Sequence, residues 1–291
     1  MRFDGNLAWQ QAIRLFTANK ELLLVLAGVF FFLPGLASAF FLTDTQAQMM
    51  QGMQALDPHD SKAVMAAVGA LYAKIGPYMA LLGLVQTIGT VAMMALLNDS
   101  VRPTVGQAIA QGIRCLPTIL GVGVLVALGY MVSALVVALG LGLVAMAIGA
   151  TGGGGTLMAL VAVGMGGFMA YLMFMATRLS VTLPVIVIDQ VRNPVRALMR
   201  SWWLTKGNTA SLMGFYLVLL VAYVVIAMLL YMVLTALVTL GTTQTAGVST
   251  AGGVVSGLIG GIVSVLATAI ICSVHGQLVG PRHETMSEIF R

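Results

Sequence analysis

Charge is what this sequence has least of. Its 14 Lys/Arg and 9 Asp/Glu make up 8% of 291 residues, against about 25% in soluble domains. So few charges cannot cover the surface of a soluble fold, which excludes a cytosolic enzyme and a disordered tail. With two cysteines there is no disulfide-framed secreted domain either. What fills the chain instead is 59% apolar residues and 34 glycines, at a mean hydropathy of +1.01. That composition belongs to an integral membrane protein.

The gaps between charges measure the spans. Residues 22–43 and 75–98 are free of Asp, Glu, Lys and Arg, and each is long enough for one crossing at about 20 residues per helix. Residues 115–177 and 207–281 are also free of these four residue types and are long enough for two crossings each. Six spans result, at roughly 22–42, 76–97, 118–147, 157–178, 211–239 and 253–278. The third exceeds what a bilayer needs and should tilt or protrude. The glycine-rich runs 149–156 and 241–253 read as uncharged hairpin loops, because glycine is costly inside a helix and favours turns.

Orientation follows from the Lys/Arg count on each side. Twelve fall on the side of the termini, and only Lys62 and Lys74 on the other. Both termini are therefore expected in the cytoplasm. Leu36-Ala37-Ser38-Ala39 resembles a signal-peptidase site. The apolar run continues past it through Phe40-Phe41-Leu42, however, and cleavage would put the basic loops on inconsistent sides. The first span is expected to stay.

Three cytoplasmic segments look alike. Gln11-Ala12-Ile13-Arg14 and Gln111-Gly112-Ile113-Arg114 each lead into a span, and Ala197-Leu198-Met199-Arg200-Ser201-Trp202 precedes the fifth. The register of the third is open, since aligning its arginine or its alanine gives different pairings. Trp9, Ile13 and Phe16 share one helical face, and Asn193-Pro194 is a helix start. All three tryptophans (Trp9, Trp202 and Trp203) lie in these segments, where such rings favour the headgroup level. The expected fold is an all-α integral membrane protein: six transmembrane helices with three cytoplasmic interfacial amphipathic helices, a threefold repeat of helix plus two-span hairpin. Arg192, Arg196, Arg200 and Lys206 either contact lipid phosphate or only enforce topology.

The stretch RLSVTLPVIVIDQVRNPVRALMRSWWLTKG, Arg178 to Gly207, resembles the signature of the glycerophosphoryl diester phosphodiesterase membrane-domain family and the related YciC-like inner-membrane proteins. Arg178, Pro184, Asp189, Ala197, Leu198, Ser201, Trp202, Leu204, Thr205, Lys206 and Gly207 carry the likeness; Asp189 stands where such proteins usually have glutamate. The resemblance implies a membrane module that some relatives fuse to a soluble phosphodiesterase barrel. After the sixth span only residues 279–291 remain, so no barrel is expected here.

Catalysis needs convergent titratable groups, and apart from Arg178, which closes the fourth, the spans hold no Asp, Glu, Lys or Arg. His275 alone reads as an interfacial hydrogen-bonding residue, and Asp189 as one partner of an ion pair with Arg192 or Arg178. No catalytic residue, metal site or cofactor is expected. The Met49, Met50, Met53 and His59 group reads as a helix face, and His283-Glu284 as tail. Gln86, mid-span, must bond another helix or line a polar cavity. Gly253, Gly257 and Gly261 repeat every four residues, predicting either a tightly buried sixth helix or a self-association surface.

The leading expectation is thus a non-catalytic module that organises envelope lipid or protein partners. Its partners would be anionic headgroups on the cytoplasmic side, with a homo-oligomer or membrane-protein partner left open and no nucleic acid. A small transporter around Gln86, lined by Ser133, Thr235 or Thr268, is the alternative. A headgroup enzyme using Arg178, Asp189, Arg200 and His275 is the third. A cysteine placed in the Gly152 hairpin should react with an impermeant maleimide from outside the cell, while one at the N-terminus should not. Equal labelling of both would refute the six-span layout.

Overall fold

The computed structural model describes residues 3–38, 52, 60–98, 103–149, 154–241 and 245–280. The candidates at Met49, Met50, Met53, His59, His283 and Glu284, and the Gly152 hairpin, lie outside them. Among the described residues the secondary structure is helical, without strands. The helices are α1 (Gly5–Ala27), α2 (Ser61–Leu96), α3 (Val105–Gly149), α4 (Gly154–Leu179), α5 (Thr182–Val187), α6 (Pro194–Thr205), α7 (Thr209–Gly241) and α8 (Thr245–Val279). α1 continues through a π-turn at Gly28–Phe32 as far as Ser38. Six of these stretches are long and apolar enough to cross a membrane.

Polar caps set where the helices begin. The Asp4 carboxylate accepts from the Asn6 and Leu7 amides at 2.9 and 3.2 Å, and Asp60 from Lys62 and Ala63, both at 3.1 Å. Thr104 and Gln107 bond each other reciprocally ahead of α3, in the manner of a capping box. Asn193 accepts from Val195 and Arg196 at 3.0 and 3.2 Å, with Pro194 in the first turn.

These caps settle the open register. Four residues after Asp4, Thr104 and Asn193 stand Ala8, Ala108 and Ala197, whose amides bond back to the cap carbonyls at 3.0, 2.9 and 3.0 Å. All three alanines are fully buried, and one turn on, Ala12, Gly112 and Ser201 are buried too. The alanines therefore align and the arginines do not, placing Arg200 opposite Gln11 and Gln111. The first two segments run on into spans, with a non-helical residue at Asn19 and Pro117 within α3; the third is a separate helix.

Contacts divide the chain into two compact units. The unit of Trp9–Leu116 and Leu219–Cys272 contains the glycine stripe. A Cβ at Gly257 would lie 3.3 Å from the Phe32 ring, and one at Gly261 3.8 Å from the Ala27 carbonyl oxygen. These two glycines thus face the first span; the surroundings of Gly253 fall outside the description. α8 begins at Thr245, so Gly247, Gly252 and Gly253 are helical where a loop was expected. Glycine costs about 1 kcal/mol in a helix, a penalty the surrounding helix overrides here.

Gln86 is half-buried. Its backbone carbonyl accepts the Thr90 hydroxyl at 2.9 Å. In the same unit Gly89 meets the π-turn, and a Cβ there would sit 2.4 Å from that of Phe30. At Gly123, by contrast, a Cβ would meet nothing within 4 Å. Gly89→Ala should therefore cost about 1–3 kcal/mol through overpacking. Gly123→Ala should leave the detergent melting temperature unchanged or raised, as followed by circular dichroism.

Candidate functional site

The other unit, Met1–Ala8, Pro117–Val218 and Ser273–Arg291, holds most of the basic residues that the sequence singles out. α4 ends at Arg178 and Leu179, the short α5 is almost wholly buried, and the chain turns at Asp189–Asn193 into α6. That turn needs a left-handed residue, Gln190 at φ 54°, which is uncommon for a non-glycine. Thr118 of α3 fastens it by donating to the Arg192 carbonyl at 2.8 Å, and α3 can come close because Gly121 faces Pro194.

α6 presents two faces with different tasks. Ala197, Ser201 and Thr205, one turn apart, are fully buried. The Ser201 hydroxyl donates to the Arg178 carbonyl at 2.9 Å, and Thr205 reaches the same oxygen at 3.4 Å. Carbonyls at a span end have lost their helical donors and have little water in a bilayer, so hydroxyl donors there stabilise the junction. Val195, Met199 and Trp203 form the opposite face and are exposed. Gly207, at φ 94°, makes the turn to α7 that a side chain would strain.

Arg178 is held between aromatic rings. Its guanidinium carbon lies 5.3 Å from the Phe174 ring centroid and 4.6 Å from that of Trp202, and one terminal nitrogen donates to the Trp202 carbonyl at 3.1 Å. Its Nε is buried with no hydrogen-bond partner. The ring faces offset part of that desolvation. Lys206 stands 4.5 Å from the Trp203 centroid. Phe174 has a role here that no motif marked.

Asp189 does form an ion pair, but the expected partners are replaced. Arg200 Nε donates to its Oδ2 at 2.9 Å, and His275 Nε2 lies 3.4 Å from the same oxygen. Neither Arg192, which is exposed, nor Arg178 is the partner. Arg200, about two helical turns after the Asn193 cap, points back to the turn that carries Asp189. His275 comes from the end of α8, 86 residues away, a separation from which no local pattern could find it. Burial pushes the Asp189 carboxyl up, but the hydrogen bond and charge of His275 and the charge and hydrogen bond of Arg200 outweigh it, and the group sits below its ordinary value. Arg196 is exposed.

A cavity of about 390 Å³ lies beside α6, lined among others by Leu125, Gly129 and Tyr130 of α3, Met175 of α4, and Leu198 and Trp202 of α6. It does not include Gln86. The hydroxyls of Ser133 and Thr268 bond the Tyr130 and Ser264 carbonyls of their own helices, and the Thr235 side chain falls outside the description. Among the described residues no group of three or more His, Cys, Asp or Glu side chains could hold a metal ion.

Six long apolar helices, with cations and tryptophans gathered on a short helix between two of them, define a multi-pass membrane protein. Within that class, residues 156–284 match the family model described as the membrane domain of glycerophosphoryl diester phosphodiesterase. The resemblance carried by Arg178–Gly207 thus extends from α4 through α8 and takes in His275. No curated protein and no solved structure matches the chain.

Because its pKa is lowered in the fold, Asp189 contributes stability that is fully present above its ordinary value of 3.8 and lost as pH falls through the lower folded value. Asp189→Asn should melt below wild type at pH 7. The difference should close on acidification below about pH 4, as read from melting temperature against pH.

Proposed function

We propose that the chain is a non-catalytic module of the bacterial inner membrane, with both termini in the cytoplasm, that engages anionic lipid headgroups through α6. The observation that carries this reading is the arrangement of that helix. Its small residues are buried, Val195, Met199 and Trp203 are exposed, and Arg192, Arg196 and Lys206 stand around them. An apolar face flanked by cations suits a helix lying at headgroup depth on an anionic leaflet. Arg200 is compensated by Asp189 and fixes the helix in place; Arg196 and Lys206 are the cations expected to meet phosphate. The role is one of organising envelope lipid or presenting a surface to a membrane-protein partner.

A headgroup enzyme is the second reading, because His275 has in Asp189 the orienting partner a general base requires. His275 is only 3% exposed and its carboxylate is shared with Arg200, which favours a structural tie. A transporter gains no support from the cavity beside α6, whose lining does not include Gln86.

Removing the Arg196 and Lys206 charges together, as glutamine, should weaken association with anionic lipid. The expected loss is about fivefold per charge, from about 1 kcal/mol for each cation near the surface. Zwitterionic lipid should show no such change. Measurement is by lipid titration in mild detergent, at low and at physiological salt. Equal affinity of variant and wild type for anionic lipid would defeat the proposal.

A further inference from the structure

We infer that the groove between α3, α4 and α6 holds one acyl chain of an anionic phospholipid drawn from the surrounding bilayer. The inference rests on the reading of α6 as a headgroup-level helix and adds to it a place for the lipid tail.

The cavity, about 390 Å³, falls in the range of small-molecule sites, and its walls choose the class of occupant. Leu125, Val126, Met175, Leu179, Leu198 and Met199 supply aliphatic and thioether surface from three helices. Beyond the polar ends of its Tyr and Trp rings the lining offers a polar solute few partners, and water needs two or more to stay. α3 and α4 both belong to stretches apolar enough to cross a membrane, so a chain can enter sideways from lipid. Gly129 forms an open part of the wall: it is exposed, and a Cβ there would meet nothing within 4 Å.

Two of the lining rings also hold cations. The Arg178 guanidinium lies over Trp202 and the Lys206 ammonium over Trp203, while the buried Arg178 Nε has no partner. An apolar groove with cations on two of its lining rings matches an amphiphile with a long chain and a phosphate. Lipid tails are as apolar as the groove, so hydrophobic transfer from the bilayer gains little. Retention must come from shape and charge together. That requirement separates a seated anionic lipid from the annulus of bulk lipid.

The test uses the full chain in mild detergent and native mass spectrometry, which counts retained lipids and subunits together. The probes are long-chain phosphatidylglycerol, phosphatidylcholine with the same chains, and dihexanoyl phosphatidylglycerol. One long-chain phosphatidylglycerol per chain is expected, with the other two bound at least tenfold more weakly. Gly129→Phe fills the groove and should reduce long-chain retention at least tenfold without lowering the melting temperature. Should that variant fold poorly, mid-chain-brominated phosphatidylglycerol provides an independent readout in Trp9→Phe protein, where it should quench Trp202 and Trp203 more than brominated phosphatidylcholine does. Wild-type retention by folded Gly129→Phe, or equal quenching by the two lipids, overturns the inference. If the Arg196→Gln/Lys206→Gln variant still loses affinity in that case, the headgroup reading of α6 survives. No effect of any variant removes both. A dimer without lipid that Gly129→Phe dissociates would assign the groove to a second copy of the chain and overturn the inference as well.

Discussion

The small-residue face on each amphipathic segment is the contact on which the other features depend. Where Ala8, Ala108 or Ala197 is buried with Ala12, Gly112 or Ser201 a turn later, nothing bulkier than a methyl or hydroxymethyl separates the segment from its neighbour. Backbones then approach closely enough for side-chain hydroxyls to reach carbonyls: Ser201 to that of Arg178, and Ser273 to that of Ala8 at 2.8 Å. In the second segment the approach is also tight, since a Cβ on Gly112 would lie 3.0 Å from the Ile88 carbonyl oxygen. Each contact lies between a segment and the span before it in the chain, or, for the first segment, the last span. Close packing of small residues is how helices associate where lipid removes the hydrophobic difference between inside and outside.

With that face committed, the remaining side chains of α6 have few places to go. Val195, Met199 and Trp203 project outward, and Arg178 and Lys206 settle against indole rings. The Asp189 carboxylate then collects Arg200 and His275 and ties three parts of the chain: the turn after α5, the middle of α6 and the end of α8. A carboxylate this little exposed would raise the free energy of the fold if left unpaired. Two cationic or hydrogen-bonding partners on one oxygen are the compensation. The family match begins within α4 and runs past α8, so all three parts of the tie fall inside it.

Much of the layout was legible because a bilayer is a severe solvent. Four uncharged tracts had room for six crossings, and six helices long and apolar enough to cross a membrane are present. The Asn193-Pro194 start was legible too, since capping is local chemistry. Less legible was the extent of the helices: α8 begins at Thr245, inside a run whose glycines read as a loop, because helix propensity is a weak local preference that neighbouring structure overrides. The arginines suggested one register for the repeat and the alanines another. The alanines decide it, because a buried contact tolerates no change in volume while an exposed charge tolerates a change of position.

From the residues alone came the membrane, the number of crossings, the positions of the basic segments and the polar groups available to them. These follow from hydropathy, length and local hydrogen bonding, each readable within a window of some twenty residues. Which groups meet was decided by the fold. Asp189 finds His275 across 86 residues, and the Gly257 and Gly261 stripe turns to the first span. The groove beside α6 takes its walls from helices that start as far apart as Val105 and Pro194. Such pairings depend on how helices pack against one another. A one-dimensional pattern of apolar and charged residues leaves that choice open, and three-dimensional volume makes it.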